Sequence, residues 1–154
     1  MDRQHAGEPI HDCIERWHRH TRGELEGGLD ALLHDDCVFF SPIVFTPQRG
    51  RDITKLYLRA AGSTLADAEL DDAAATITTD STFRYTKEIL GGHHAMLEFE
   101  TEIDGKYANG VDIISCDDDG LIVEFKVMMR PLQAINAVHA RMKATLEQLA
   151  GGSS

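Results

Sequence analysis

The sequence predicts an α+β fold: helices covering one face of a curved antiparallel sheet, with a pocket on the concave face and a C-terminal helix. Three observations carry this. Helical periodicity dominates residues 9–65, apart from one short β-rich run, and returns only after Pro131. Residues 95–103 alternate apolar and polar side chains with a period of two, the mark of a strand with one buried and one wet face. Asp104-Gly105 and Asp119-Gly120 each join two β-rich runs, and glycine supplies the positive φ such turns need. Helices segregated from a strand meander make α+β, and a sheet curled around helices leaves a concavity suited to a small ligand.

Residues 1–8 are polar and read as a loose start. Ile10, Cys13, Ile14 and Trp17 then recur at helical spacing over 9–21, with Pro9 suited to the first turn, and Gly23 interrupts the pattern. Leu25, Leu29, Leu32 and Leu33 mark a second short helix ending near His34-Asp35-Asp36. Residues 37–40 form a short strand that stops at Ser41-Pro42, where the proline keeps Ser41 out of helical geometry. After a loop over 43–50 comes a helix over 51–65, with Asp52 in its first turn and Ile53, Leu56, Tyr57 and Ala60 on one face. Strands follow: a weak one over 73–79, a stronger one over 83–90 that turns at Gly91-Gly92, then 95–103, 107–116 and 121–130. A last helix over 131–149 carries Ile135, Val138, Met142, Leu146 and Leu149, and residues 151–154 read as a flexible tail.

The chain of 154 residues is one domain in length, spanning 1–150, with neither an internal repeat nor a dividing linker. A formal charge of −11 argues against a nucleic-acid surface and against an anionic membrane, since both require clustered Lys and Arg. No stretch is long enough to span a bilayer, and the N-terminus has no apolar leader segment. Cys13, Cys37 and Cys116 are odd in number, lack CxxC spacing and sit in apolar contexts, as small buried hydrophobes in a reducing compartment would. A cytoplasmic location is expected. His93-His94 at a hairpin tip has no nearby partner ligands, and Asp117-Asp118-Asp119 lacks the loop length and closing Glu of a calcium site, so no metal is expected. Nucleotide loops, GxSxG and HExxH are all missing from the sequence.

One residue stands out. Asp112 lies in the otherwise apolar run Gly110-Val111-Asp112-Ile113-Ile114, and burying a carboxylate there is costly unless it is paired, hydrogen-bonded or protonated. Either it is a pocket-facing acid with a raised pKa, or it is a structural group bonded to a nearby His or amide. His18, beside Trp17, stands at the edge of the first helix's apolar stripe, where it faces either a cavity mouth or solvent. Ser41 either bonds a ligand or caps the turn with Pro42, and Tyr57 either joins the core or offers its hydroxyl to the cavity. Phe40, Phe99, Phe125, Val127 and Met129 are expected on the concave side. Glu98, Glu100 and Glu102 mark an outer sheet face, with Glu124 and Lys126 as possible partners.

Four local signatures, together with the element order, carry a family resemblance. They are the run from Leu32 to Pro42, Gly50-Arg51 opening the third helix, Gly110-Val111-Asp112, and Asp119-Gly120-Leu121-Ile122. On these the chain resembles the nuclear transport factor two-like superfamily, nearest its SnoaL-like and ketosteroid-isomerase-like branch, from about residue 10 to 137. The resemblance implies the cone fold, a small hydrophobic ligand, no cofactor, and a homodimer packed through the outer sheet face. It also matches Asp112 to the strand aspartate that ketosteroid isomerases keep protonated to donate to a dienolate oxygen. The general base of those isomerases falls here at Ser41, and their first-helix oxyanion tyrosine at Arg16 or Trp17. Epoxide-hydrolase-like members have an arginine where Gly110 stands and a second acid on the last strand, where Phe125, Val127 and Met129 stand instead. Since this superfamily spans isomerases, cyclases, dehydratases and adaptors, fold does not license activity.

Two functions are therefore expected to compete. One is a small cofactor-independent enzyme that binds an apolar carbonyl, enone or polyketide-like compound and promotes isomerisation, cyclisation or dehydration. In it Asp112 is the acid or oxyanion donor, His18 the proton acceptor, and Trp17, Phe40, Ser41, Tyr57, Phe99, Phe125, Val127 and Met129 contact the ligand. The other is a non-enzymatic hydrophobic-ligand-binding or scaffold protein of the same fold.

Overall fold

The computed structural model describes residues 7–66, 69–70, 75–76 and 82–151. In chain order the elements are α1 (Pro9–Thr21), α2 (Gly28–Leu32), β1 (Leu33–Phe40), β2 (Gln48–Arg49), α3 (Arg51–Ala66), β3 (Glu69–Leu70), β4 (Ala75–Thr76), β5 (Arg84–Gly91), β6 (His94–Ile103), β7 (Lys106–Cys116), β8 (Ile122–Arg130) and α4 (Leu132–Gly151). The fold is α+β, with a six-stranded mixed sheet ordered β2-β1-β8-β7-β6-β5 and a separate two-stranded ribbon of β3 and β4. Strands β5 to β8 form the expected antiparallel meander, and β1 joins its far edge parallel to β8. That parallel pairing is what brings the N-terminal half of the chain onto the sheet.

The first helix buries the stripe its sequence marks, whereas α3 buries Thr54, Leu58 and Ala60 and leaves Ile53, Leu56 and Tyr57 only partly covered. Pro9 opens α1, and Ile10, Cys13, Ile14 and Trp17 all face the core. Its first turn and its middle are moored to strand turns. The Ile10 amide donates to Gly92 O at 3.2 Å, and Arg16 Nη2 donates to Gly120 O at 2.7 Å. Gly120, at φ 78°, provides the close approach, since a Cβ there would sit 2.5 Å from the Arg16 guanidinium. Ala134, Val138 and Met142 recur every four residues along α4 and are buried, while Arg141 ties this helix to Asp104 on the β6–β7 turn at 2.8 Å. Thus α1 anchors at one end of the sheet and α4 at the other.

The inner face of the sheet is apolar. Leu97 and Phe99 of β6, Ile114 of β7, Phe125 of β8 and Phe39 of β1 are all buried. Gly110 keeps this layer thin. A Cβ on it would come within 2.5 Å of the Phe99 ring and 2.6 Å of the Met128 carbonyl, so a side chain at that position and the Phe99 ring exclude each other. An arginine at this position has no room.

Several boundaries differ from those expected. The second helix is shorter, and residues 33–36, expected at its end, extend β1 instead, because Leu33 pairs with Ile122 of β8. Strand β2 lies within the expected 43–50 loop, paired with β1. The turn after β5 falls at Gly92-His93, one residue late, with Gly92 at φ 61°. Gly151 belongs to α4, while the rest of the expected tail lies outside the described residues, as do residues 1–6 and most of the weak strand at 73–79. The outer glutamates find other partners than Lys126: Glu100 bonds Arg84 and Tyr107, each at 2.7 Å, and Glu98 accepts from Asn109 at 3.0 Å. All three cysteines are buried free thiols, as expected. No described helix is long and apolar enough to cross a membrane.

Candidate active site

Alternation along β7 sends Ala108, Gly110, Asp112 and Ile114 to the inner face, and antiparallel register places Asp112 between Leu97 of β6 and Val127 of β8. Asp112 is 6% exposed. Its Oδ2 accepts a hydrogen bond from the Tyr85 hydroxyl at 2.7 Å, and that same hydroxyl accepts from Trp17 Nε1 at 3.0 Å. The line Trp17–Tyr85–Asp112 thus joins α1, β5 and β7. No described residue makes a hydrogen bond to Asp112 Oδ1.

Burial pushes the Asp112 carboxyl up from 3.8 to about 7, with the Tyr85 hydrogen bond pulling modestly the other way. A sizeable fraction of the molecules therefore hold Asp112 neutral near pH 7. Burial, and then the Asp112 charge, push the Tyr85 phenol well above its ordinary range, so it stays protonated. The arrangement is a neutral or singly charged acid braced by a phenol, with one carboxyl oxygen left for another partner. Such a group can donate a hydrogen bond to an oxygen gaining negative charge.

Trp17 does two jobs. Its indole N–H orients Tyr85, and its ring packs on Phe125 at 5.0 Å and on His20 at 5.5 Å. His20 is buried and held neutral, its pKa pushed down from 6.5 to about 4 by burial alone. His18 stands at the rim. Its Nε2 lies 2.6 Å from Glu88 Oε1, and its ring meets the Tyr85 ring edge-on at 5.6 Å. A carboxylate so placed fixes the imidazole's tautomer and leaves Nδ1 as the other ring nitrogen available for exchange.

The remaining expected ligand contacts divide into two groups. Phe99, Phe125 and Val127 are buried around Asp112, with Phe99 stacked on Phe83 at 5.0 Å and Phe125 on Phe39 at 6.1 Å. Met129 is half-buried opposite Gly110. Ser41 and Tyr57 lie further out. The Ser41 hydroxyl oxygen accepts from the amides of Ile43 at 3.0 Å and Val44 at 3.3 Å, which is the capping role weighed for it. Tyr57 packs its ring on Phe39 at 5.4 Å. One expectation fails outright: Phe40 does not face the concave side. Phe39 takes the inward position of β1, so Phe40, one residue along, turns outward beneath Lys126 Nζ at 4.8 Å. An open groove of about 750 Å³ runs past Phe40, Ser41, Lys126 and Met128, and Asp112 is not part of its lining.

The sequence pattern does not single out Tyr85 or His20. A signal for Tyr85 did exist: two residues after Phe83 on a strand, it shares that residue's inward face, and a buried phenol needs a partner. The irregular register between Tyr85 and Lys87 breaks the alternation downstream and hides it. His20 follows Trp17 by three residues, a helical spacing that puts the two on one face.

No protein-family profile matches the chain, and no curated protein is a significant relative by sequence. Solved structures are similar over nearly the whole length. A steroid delta-isomerase from Pseudomonas aeruginosa is 26% identical with a TM-score of 0.75, over 93% of this chain and 95% of that one. An uncharacterised bacterial protein with a cystatin-like fold from Silicibacter pomeroyi is 28% identical with a TM-score of 0.70, over 92% and 88%. An epoxide hydrolase of the limonene-epoxide-hydrolase-like kind from Mycobacterium tuberculosis shares the fold at 16% identity and a TM-score of 0.51, over 94% and 96%. The chain has the cone fold of the nuclear transport factor two-like superfamily, alongside its ketosteroid-isomerase-like members.

Proposed function

We propose that the chain is a small cofactor-independent enzyme that binds an apolar carbonyl or enone compound and moves a proton α to the carbonyl, giving isomerisation, cyclisation or dehydration. The observation that carries this is Asp112: a buried acid poised near neutrality by burial, held at one oxygen by Tyr85 and free at the other. Asp112 donates a hydrogen bond to the carbonyl oxygen as it becomes an enolate, and one such donor supplies roughly 3–4 kcal/mol of transition-state stabilisation. His18, oriented by Glu88, accepts the α-proton and returns it further along the conjugated system, so that the double bond moves and no net proton is consumed. The similarity to a steroid delta-isomerase supports this class of chemistry.

The expected homodimer is part of the same proposal. Ile89, Met96 and Met128 are 58%, 43% and 51% exposed on the outer face, where Ile89 pairs with Met96 and Met96 with Ile113. An apolar row of this kind on an otherwise charged sheet suits a second copy.

A second reading, a carrier or scaffold without catalysis, draws on one observation: the Ser41 hydroxyl, at the position of the isomerases' base, is engaged by two backbone amides. Deuterium exchange at the α-carbon of a panel of enones separates the two. Exchange above the buffer rate that disappears in Asp112→Asn supports the enzyme. Binding without exchange, unaltered by Asp112→Leu, supports the carrier.

A further inference from the structure

A second recess lies away from Asp112, between the loop after β1, α3 and α4. It encloses about 250 Å³, with Ile43, Met142 and Leu146 among its apolar walls. Its polar lining is chiefly hydrogen-bond donors. Tyr57 fixes its ring against Phe39, yet its hydroxyl has no hydrogen bond among the described residues. Ser41 accepts two amide bonds at its oxygen, which leaves its own proton to donate outward. His139 and Lys143 stand one turn apart on α4 at the rim, and neither has an ion-pair partner among the described residues. A lone ammonium beside a hydroxyl pair over an apolar floor is complementary to an acceptor-rich head on an apolar body. Glu147, one turn beyond Lys143 on the same face of α4, also lines the recess.

We infer that this recess binds a small carboxylate with an apolar tail, its head held by Lys143, Tyr57 and Ser41 and its tail lying on Ile43, Met142 and Leu146. The site is separate from the proposed enolate site. From Tyr57 the rings of Phe39, Phe125 and Trp17 follow in unbroken contact at 5.4, 6.1 and 5.0 Å, and only beyond Trp17 does Tyr85 lead to Asp112. Neither reading needs the other.

The test is calorimetric titration of the full chain with octanoate, against octanol as the neutral isostere. Octanoate is expected to bind more tightly than octanol, and Lys143→Met and Tyr57→Phe each to weaken it by about tenfold. Lys143 is exposed, so its replacement leaves the fold intact. Glu147→Gln is expected to tighten octanoate, a direction that a merely structural role for Glu147 does not produce. Asp112→Asn is expected to leave octanoate binding unchanged. Equal affinity for octanol and octanoate, insensitivity to Lys143→Met, or loss of binding in Asp112→Asn would each overturn the assignment, the last by placing the ligand in the core.

Discussion

The Tyr85 hydroxyl donates to Asp112 Oδ2 across 2.7 Å, from the edge strand β5 over β6 to β7. The contact crosses β6, where Tyr85 pairs with Phe99 and Asp112 with Leu97. Removing the hydroxyl alone tests it. Tyr85→Phe keeps the ring and its packing on Phe83 at 5.0 Å. It leaves both Trp17 Nε1 and Asp112 Oδ2 without their partner, at an expected cost of about 1–3 kcal/mol. Urea unfolding measures that cost, and Trp17, the sole tryptophan, reports the lost bond through a shifted emission maximum. Unchanged stability and emission would mean the line of three residues is not held together as described.

The pH dependence of stability separates two buried groups. Folded Asp112 keeps its proton to about 7 against an ordinary 3.8. Between those values the folded state binds more protons than the unfolded one, so this group's contribution falls as pH rises. His20 behaves oppositely. Its folded pKa of about 4 lies below the ordinary 6.5, so between them the unfolded state binds more protons and stability falls as pH drops. From about pH 4 to 6.5 the two slopes oppose each other. Relative to wild type, Asp112→Asn is expected to gain stability progressively toward pH 7, and His20→Leu to gain it toward pH 4. Chemical denaturation at half-unit pH steps checks both. Profiles parallel to wild type would show that neither group is held as buried as the structure places it.

Gly110 separates steric from conformational demands. Gly110→Ala forces a Cβ against the Phe99 ring and the Met128 carbonyl, and is expected to destabilise by about 1–3 kcal/mol. Gly105→Ala meets nothing within 4 Å, yet its φ of 80° makes an L side chain unfavourable, at roughly 1 kcal/mol. Thermal melts of both variants rank the two effects. The order Gly110 worse than Gly105 is required if Phe99 is locked against β7.

Phe39 and Phe40 are adjacent and chemically identical, and they face opposite ways. Phe39→Ala is expected to cost about 3–5 kcal/mol, as for a fully buried ring, while Phe40→Ala costs only the partial burial beneath Lys126. Equal losses in denaturant midpoint would reverse the facing of β1.

On the outer face, Met128→Asp is expected to convert a dimer to a monomer without lowering monomer stability, because Met128 is 51% exposed. Sedimentation velocity reads this directly, and a wild-type monomer at high concentration would remove the outer face from the proposal.

Much of this architecture was legible in the chain. The bounds of α1, the strand period of β6 and the turn at Asp104-Gly105 depend on neighbours a few residues apart, where helical spacing, pleat alternation and positive-φ glycine act locally. Asp112 also announced itself, because a carboxylate in an apolar run is anomalous whatever surrounds it. What the tertiary structure alone decided was which groups meet. Residues 33–36 became strand because β8 offered them a parallel edge, and that pairing turned Phe39 inward and Phe40 out. Tyr85 reached Asp112 only once the β5–β6–β7 register was set, 27 residues apart along the chain. Hydrogen-bond reach is about 3 Å, and proximity at that scale between distant residues is a property of packing, not of spacing.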